Sequence, residues 1–177
     1  SFFVKNSCIN LFDMLNDMFF VLDYNGTIIK VNDVVVDRLG YTNEELIGES
    51  VLKVHPKERH SEAIEIIGDV LAGKGELCRI PLFKGDGSEL PVETRITLGI
   101  WKNQPVVFGV SRDISEQIEA DKRLRVLALA VEQSINGILV ADLEGVIQYA
   151  NTSWAEMHGY QVEQLSGKTL HSFHTKE

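Results

Sequence analysis

The side chains able to do chemistry in this 177-residue chain are five histidines, two cysteines and scattered carboxylates. His60 is the sharpest of them. It falls on an apolar stripe with Ile64, Ile67 and Leu71, one turn before Ile64. A neutral imidazole facing an apolar cavity is the chemistry an iron porphyrin asks of its axial ligand. The plainer reading, a helix-start histidine that is partly exposed or hydrogen-bonded in place, is the one adopted. His55 and His60, with Pro56 between them, have no further ligands nearby, and neither do His171 and His174. No metal site is therefore expected. Cys8 and Cys78 are far apart and form no C-x-x-C. Cys78 sits on a predicted strand, where a buried small residue is the default. No G-x-S-x-G, H-E-x-x-H, P-loop or G-x-G-x-x-G occurs, so no catalytic residue is named and an enzyme is not expected.

Asp113 has a different kind of chemistry. It stands between a β-branched, aromatic stretch, Val106–Val110, and a helical stretch running toward Ser134. Its carboxylate can accept from the first amides of that helix, and Glu116, three residues on, can reach back. Asp113, Ser115 and Glu116 are therefore the residues expected to couple the strand to the helix. The helix carries Ile118, Leu124, Leu127 and Val131 at three-to-four-residue steps.

The formal net charge is −9, with 44% hydrophobic and 24% charged residues. That is an ordinary globular composition, and it speaks against nucleic acid, whose phosphates require clustered Lys and Arg. The basic run Lys122, Arg123, Arg125 has Asp121 beside it and reads as a solvated helix face. No apolar run reaches the ~20 residues of a membrane span. The expected setting is cytoplasmic, and the chain reads as a fragment of a longer protein, which could itself be membrane-anchored.

The elements that must position these residues repeat. Val21, Asp23, Gly26, Ile28, Asn32, Gly40, Tyr41, Glu44, Leu46, Gly48 and His55 recur without a gap as Val140, Asp142, Gly145, Ile147, Asn151, Gly159, Tyr160, Glu163, Leu165, Gly167 and His174. In the first copy, strands are predicted over Phe19–Asp23 and Ile28–Asn32, joined by a turn at Asn25-Gly26. Asn32 or Asp33 caps a short helix ending at Gly40, and Thr42–Glu45 is a capping box. Arg59–Gly73 is the main helix. Strands over Leu77–Phe83, Leu90–Ile100 and Val106–Val110 complete the unit. Residues 1–17 read as an entering helix, 18–113 as the first module, 114–134 as a connector helix, and 135–177 as the first part of a second module. Helices grouped between strand runs make the fold class antiparallel α+β.

Four segments resemble the PAS family of sensory modules. They are Asp23-x-x-Gly26-x-Ile28-x-x-x-Asn32, Leu39–Gly48, Gly85–Glu93 and Arg112–Glu116. They occur in order over residues 18–117, and the second copy matches only the first half of the pattern. The resemblance implies a five-stranded antiparallel sheet with helices on one face, and a cavity between the main helix and that sheet. Its candidate lining is Ala63, Ile64, Ile67, Val70 and Leu71 on the helix, and Leu90, Val92, Ile96 and Leu98 on the strands. It also implies a ligand or cofactor there. Haem stays open through His60, which is similar to the axial histidine of oxygen-sensing members, and non-covalent FAD stays open, with Trp101 and Trp154 as stacking candidates. A purified fragment carrying no cofactor is the expectation. Light-driven flavin adduct chemistry is excluded, because Gly48–Glu58 holds no cysteine.

The resemblance further implies sensing of a small ligand or cofactor state. The signal would pass through the connector to a downstream output domain, as in sensor histidine kinases; diguanylate cyclases and transcriptional regulators are the alternatives. A ligand-free dimerisation scaffold is the competing reading. A homodimer through the connector and the second module is expected; the latter, whose apolar strands lack their partners, is ordered only by docking, either onto the chain's own first module or, the version favoured, onto another chain's copy.

Overall fold

The computed structural model describes residues 16–74 and 77–173; the predicted helix over residues 1–17 lies, apart from its last two residues, outside them. The chain divides into two compact units, residues 1–116 and 117–177.

The first unit is built on a five-stranded sheet. Strands β1 (Met18–Leu22) and β2 (Ile28–Val31) form the opening hairpin. Its turn is held by Asp23, whose Oδ1 accepts from the amides of Asn25 and Thr27 at 2.9 and 2.8 Å. Asn32 then caps α1 (Asp33–Leu39), accepting from Val35 N, and Gly40 ends that helix at φ +72°. Thr42 and Glu45 form the reciprocal capping box of α2 (Asn43–Leu46). A 3₁₀ turn, Val51–Val54, and a second, Lys57–Arg59, lead into α3 (His60–Leu71).

The long strands β6 (Val92–Trp101) and β7 (Gln104–Asp113) pair along their whole length. The sheet order is β2-β1-β7-β6-β3, where β3 is Leu77–Cys78, and every pairing is antiparallel. The expected single strand Leu77–Phe83 is broken in two. Leu77–Cys78 (β3) joins the main sheet, whereas Leu82–Phe83 (β4) pairs with Glu89–Leu90 (β5) in a separate hairpin. Pro81 and Pro91, which have no amide hydrogen for a ladder, stand at the breaks. The β4–β5 turn packs on α1 so closely that a Cβ at Gly85 would lie 2.8 Å from the Gly40 carbonyl oxygen.

Helices and turns cover one face of the sheet. Met18, Phe20, Leu22, Val35, Leu39, Leu46, Val54, Ala63, Val70, Ile80, Leu82, Val92 and Ile96 form the core between them. The opposite face carries Val21 and Val106, with Phe19, Ile29, Trp101 and Phe108 packed against them.

The helix α4 (Ser115–Glu132) follows β7. After it, the second unit rebuilds the opening of the first: β8 (Leu139–Ala141), β9 (Ile147–Ala150) and α5 (Thr152–Met157). The correspondence extends to individual bonds. Asp142 Oδ1 accepts from Glu144 and Val146 as Asp23 does in its own turn. Asn151 caps α5 as Asn32 caps α1. The expectation that this hairpin has nothing to cover it is corrected. Ile147, Ala150, Ala155 and Leu165 are buried together, with Leu139, Trp154, Val162 and Leu170 against them. The short helices supply that cover. Val140 and Tyr149 stay exposed.

Candidate ligand cavity and output junction

A cavity of about 40 Å³ lies where β1, α3, β6 and β7 meet. Its walls are mostly apolar: Phe20 and Leu22 from β1, Ala63, Ile66 and Ile67 from α3, Leu82 from β4 and Ile96 from β6. Gly109 lies at this wall, and a Cβ there would be 3.7 Å from Phe20 Cβ and 3.8 Å from Thr94 Cγ2, ordinary contact distances.

Ala63, Ile67 and Ile96 of the expected lining are at the cavity. Val70, Leu90 and Val92 are buried in the surrounding core. Ile64, Leu71 and Leu98 are not at the site, being 58%, 37% and 44% exposed. Placing them inward is corrected for a geometric reason. The helix face toward the sheet is centred on Ala63, Ile66, Ile67 and Val70, so the stripe through His60, Ile64 and Leu71 is rotated off it. Leu98 follows Ile96 on the same side of β6, but lies farther along the strand, past the reach of α3.

Three polar features line the cavity. Thr94 and Ser111 are directly paired across β6 and β7, their hydroxyl oxygens 2.7 Å apart. Two hydroxyls carry two hydrogens and this bond uses one, leaving one donor for an occupant. Ser111 is buried. Cys78 is a buried thiol, its pKa pushed up by burial. His55, which sequence reasoning did not place at the cavity, bonds the Val51 carbonyl through Nδ1 at 2.8 Å. A carbonyl can only accept, so Nδ1 carries the hydrogen and Nε2 of the neutral ring is an acceptor. Burial lowers the His55 pKa, the Val51 bond partly restores it, and His60 lowers it further. The signal that could have found His55 is its place four residues after Val51, at the end of a 3₁₀ turn that packs on the core.

His60 is elsewhere. Its Nε2 lies 3.1 Å from the His55 carbonyl oxygen, so that nitrogen carries hydrogen and offers no lone pair to iron. His60 is also not among the residues lining the cavity of about 40 Å³, so haem does not fit this arrangement. Nor does flavin, since pockets for molecules of that size hold roughly 300–1,000 Å³. Trp101 lies on the other face of the sheet, and Trp154 stacks on His158 at 4.0 Å in the second unit. Among the described residues, no group of three or more His, Cys, Asp or Glu is placed to hold a metal ion. No helix among them is long and apolar enough to cross a membrane.

The output junction is the end of β7. Asp113 is the last residue of the strand, not the first of the helix. Its Oδ1 accepts from Ser115 N at 2.8 Å, and its Oδ2 accepts from Arg38 Nη1 at 3.2 Å. Burial raises the Asp113 pKa, but the Ser115 bonds and the positive charges of Arg38 and Lys84 outweigh it and hold the carboxyl below its usual value. Beside it, Arg112 pairs with Asp17 at 3.3 Å, tying the strand's exit to the chain's entry into β1.

Comparison with known proteins agrees with this geometry. A family profile described as PAS domain matches residues 16–116, and one described as PAS fold matches residues 127–177. The chain is 27% identical over 176 residues to the methyl sulfide methyltransferase-associated sensor of Methanosarcina acetivorans, covering 94% of this chain and 16% of that protein. It is 24% identical over 152 residues to the oxygen sensor protein DosP of Escherichia coli, covering 83% of this chain and 19% of that one. It thus spans under a fifth of the length of either curated relative. Among solved structures, a PAS domain from Desulfitobacterium hafniense is 31% identical with a TM-score of 0.55, covering 59% of this chain and 98% of that one. A domain of a sensor histidine kinase/response regulator from Geobacter sulfurreducens shares the fold at 23% identity and a TM-score of 0.54, covering 63% of this chain and 96% of that one. With the β2-β1-β7-β6-β3 antiparallel sheet, the helices on one face and the profile match over more than half its length, the chain belongs to the PAS domain family.

Proposed function

We propose that this chain is the sensory region of a larger signalling protein, a cytoplasmic sensor histidine kinase. Its first PAS module takes a small organic ligand between α3 and the sheet. It acts by binding, not by turnover, and passes the result through β7 and α4 toward a downstream output domain. The observation that carries this reading is the spare hydroxyl hydrogen of the Thr94–Ser111 pair. Ser111 is buried at the cavity and stands two residues before Asp113 on the same strand. An acceptor atom bonding Ser111 or Thr94 acts on the strand whose end caps the output helix. A ligand biases that helix only through different affinity for two arrangements of the junction. Two relatives named as sensors support sensing as the role. The association expected of such a region is a homodimer through α4, where Leu124 and Leu127 are exposed.

The cavity's small size favours a second reading, a scaffold that dimerises and binds nothing small. An absorption spectrum and native mass spectrum of freshly purified protein, followed by NMR titration with small carbonyl and ether compounds, separates the two. Shifts at Ser111 that extend to Asp113 and Ser115 support sensing. Saturating ligand that alters neither stability nor these signals supports the scaffold.

A further inference from the structure

A surface groove of about 420 Å³ lies outside the cavity, lined by Leu52, Lys53, Lys57, Glu58, His60 and Phe83. His55 lines this groove as well as the inner cavity. His55 is therefore the residue common to both linings. Among the described residues the ring's bond is the one to the Val51 carbonyl. A change of rotamer breaks that neutral bond and no ion pair. The groove by itself is within the size range that holds small organic ligands.

The two spaces differ in chemistry. The cavity side is built from Phe20, Leu22, Ile66, Ile67 and Ile96. The groove carries Lys53, Lys57 and His60 against a single carboxylate, Glu58. Lys53 Nζ donates to the Glu45 carbonyl, a bond that leaves its charge uncancelled. In a chain of net charge −9, a groove with two lysines and one acid is a local reversal of sign.

We propose that His55 is the door of the cavity, and that the ligand is a small amphipathic carboxylate. Its mainly apolar body lies inside, against α3 and the sheet, and offers an acceptor atom to the Thr94–Ser111 pair, while its anionic head stays in the groove beside Lys53 and Lys57. This rests on the reading that the cavity binds a ligand. It adds the entry route and the class of molecule.

Calorimetric titration of the 177-residue chain with hexanoate, 1-hexanol and hexylamine tests the head group. Methyl-resolved NMR exchange at Ile67 and Ile96 measures the entry rate. Hexanoate is expected to bind about tenfold more tightly than 1-hexanol, and hexylamine more weakly than either. Lys57→Gln should cost hexanoate most of that advantage and leave 1-hexanol unchanged. His55→Ala should speed entry of both hexanoate and hexanol by on the order of tenfold; if that variant does not fold, His55→Leu, which also lacks the Val51 bond, gives the same comparison. Equal affinity for hexanoate and hexanol overturns the carboxylate assignment while the cavity reading stands. An unchanged entry rate overturns the door. Binding of none of the three probes, to wild type or to the His55 variants, overturns the cavity reading itself.

Discussion

Arg38 of α1 and Asp113 at the end of β7 are 75 residues apart in the chain, and their side chains meet at 3.2 Å. The same carboxylate bonds the Ser115 amide, so one side chain joins the helical layer, the sheet and the start of α4. Asp113→Ala should cost roughly 0.5–2 kcal/mol, the range for losing a helix cap. Arg38→Gln should cost under about 1 kcal/mol, since the guanidinium is largely exposed and solvent screens the pair. Urea denaturation measures both. In the full-length parent, Asp113→Ala should leave the module folded and uncouple input from output; unchanged signalling would count against the junction.

His55 should make the first module sensitive to mild acid. Burial holds its pKa below the ordinary 6.5. As pH falls, the unfolded chain takes up the proton first, so unfolding is favoured by protonation. The contribution is complete above the unfolded value and is lost as pH drops toward the folded one. His60, which shares the groove, lowers the His55 pKa further. Denaturation midpoints measured from about pH 7.5 down to 5.5 should fall less steeply in His55→Gln than in wild type.

Gly109→Ala places a methyl group at the cavity wall at ordinary contact distance from Phe20 and Thr94. Burial of one such group contributes about 0.8 kcal/mol, so the variant should melt at or slightly above the wild-type temperature. It should also lose affinity for any cavity ligand. A variant that binds as wild type does would place the ligand elsewhere. Scanning calorimetry with and without hexanoate reads both effects.

Leu124 and Leu127 are 66% and 62% exposed on α4, and Val131 continues their three-and-four spacing. A helix–helix dimer through this stripe is the natural way to bury it. Leu124→Asp with Leu127→Asp should convert a dimer to a monomer in multi-angle light scattering. A wild-type chain already monomeric at micromolar concentration would remove the dimer from the mechanism.

Asn151 donates through Nδ2 to the carbonyls of Val131 and Asn136, each at 3.0 Å, while its Oδ1 accepts from Ile138 N and Trp154 N. Glu132 adds bonds from the Tyr149 hydroxyl and the Thr152 amide. Asn151→Ala orphans several of these groups at once, and each buried one costs about 1–3 kcal/mol. The second unit should lose protection against hydrogen exchange over residues 138–151 while the first keeps its own.

Much of this protein is local, and local features are legible in sequence. Asn32 and Asn151 cap, Asp23 and Asp142 hold turns, and Gly40 ends a helix because each acts within a few residues of itself. The repeat, the α+β class and Asp113 at the junction follow from the same short-range chemistry. Period-two alternation placed Ile96 inward and period 3.6 placed Ala63 and Ile67 inward. The spacing could not say which edge of a wide apolar stripe faces the sheet, so Ile64 and Leu71 were assigned to a cavity they do not reach. That angle is set by packing between α3, β6 and β7. His55 at the cavity, the Thr94–Ser111 pair and the Arg38–Asp113 bond likewise join residues far apart in the chain. They come from strand register and helix docking, which fix distances in space that spacing along the chain does not encode.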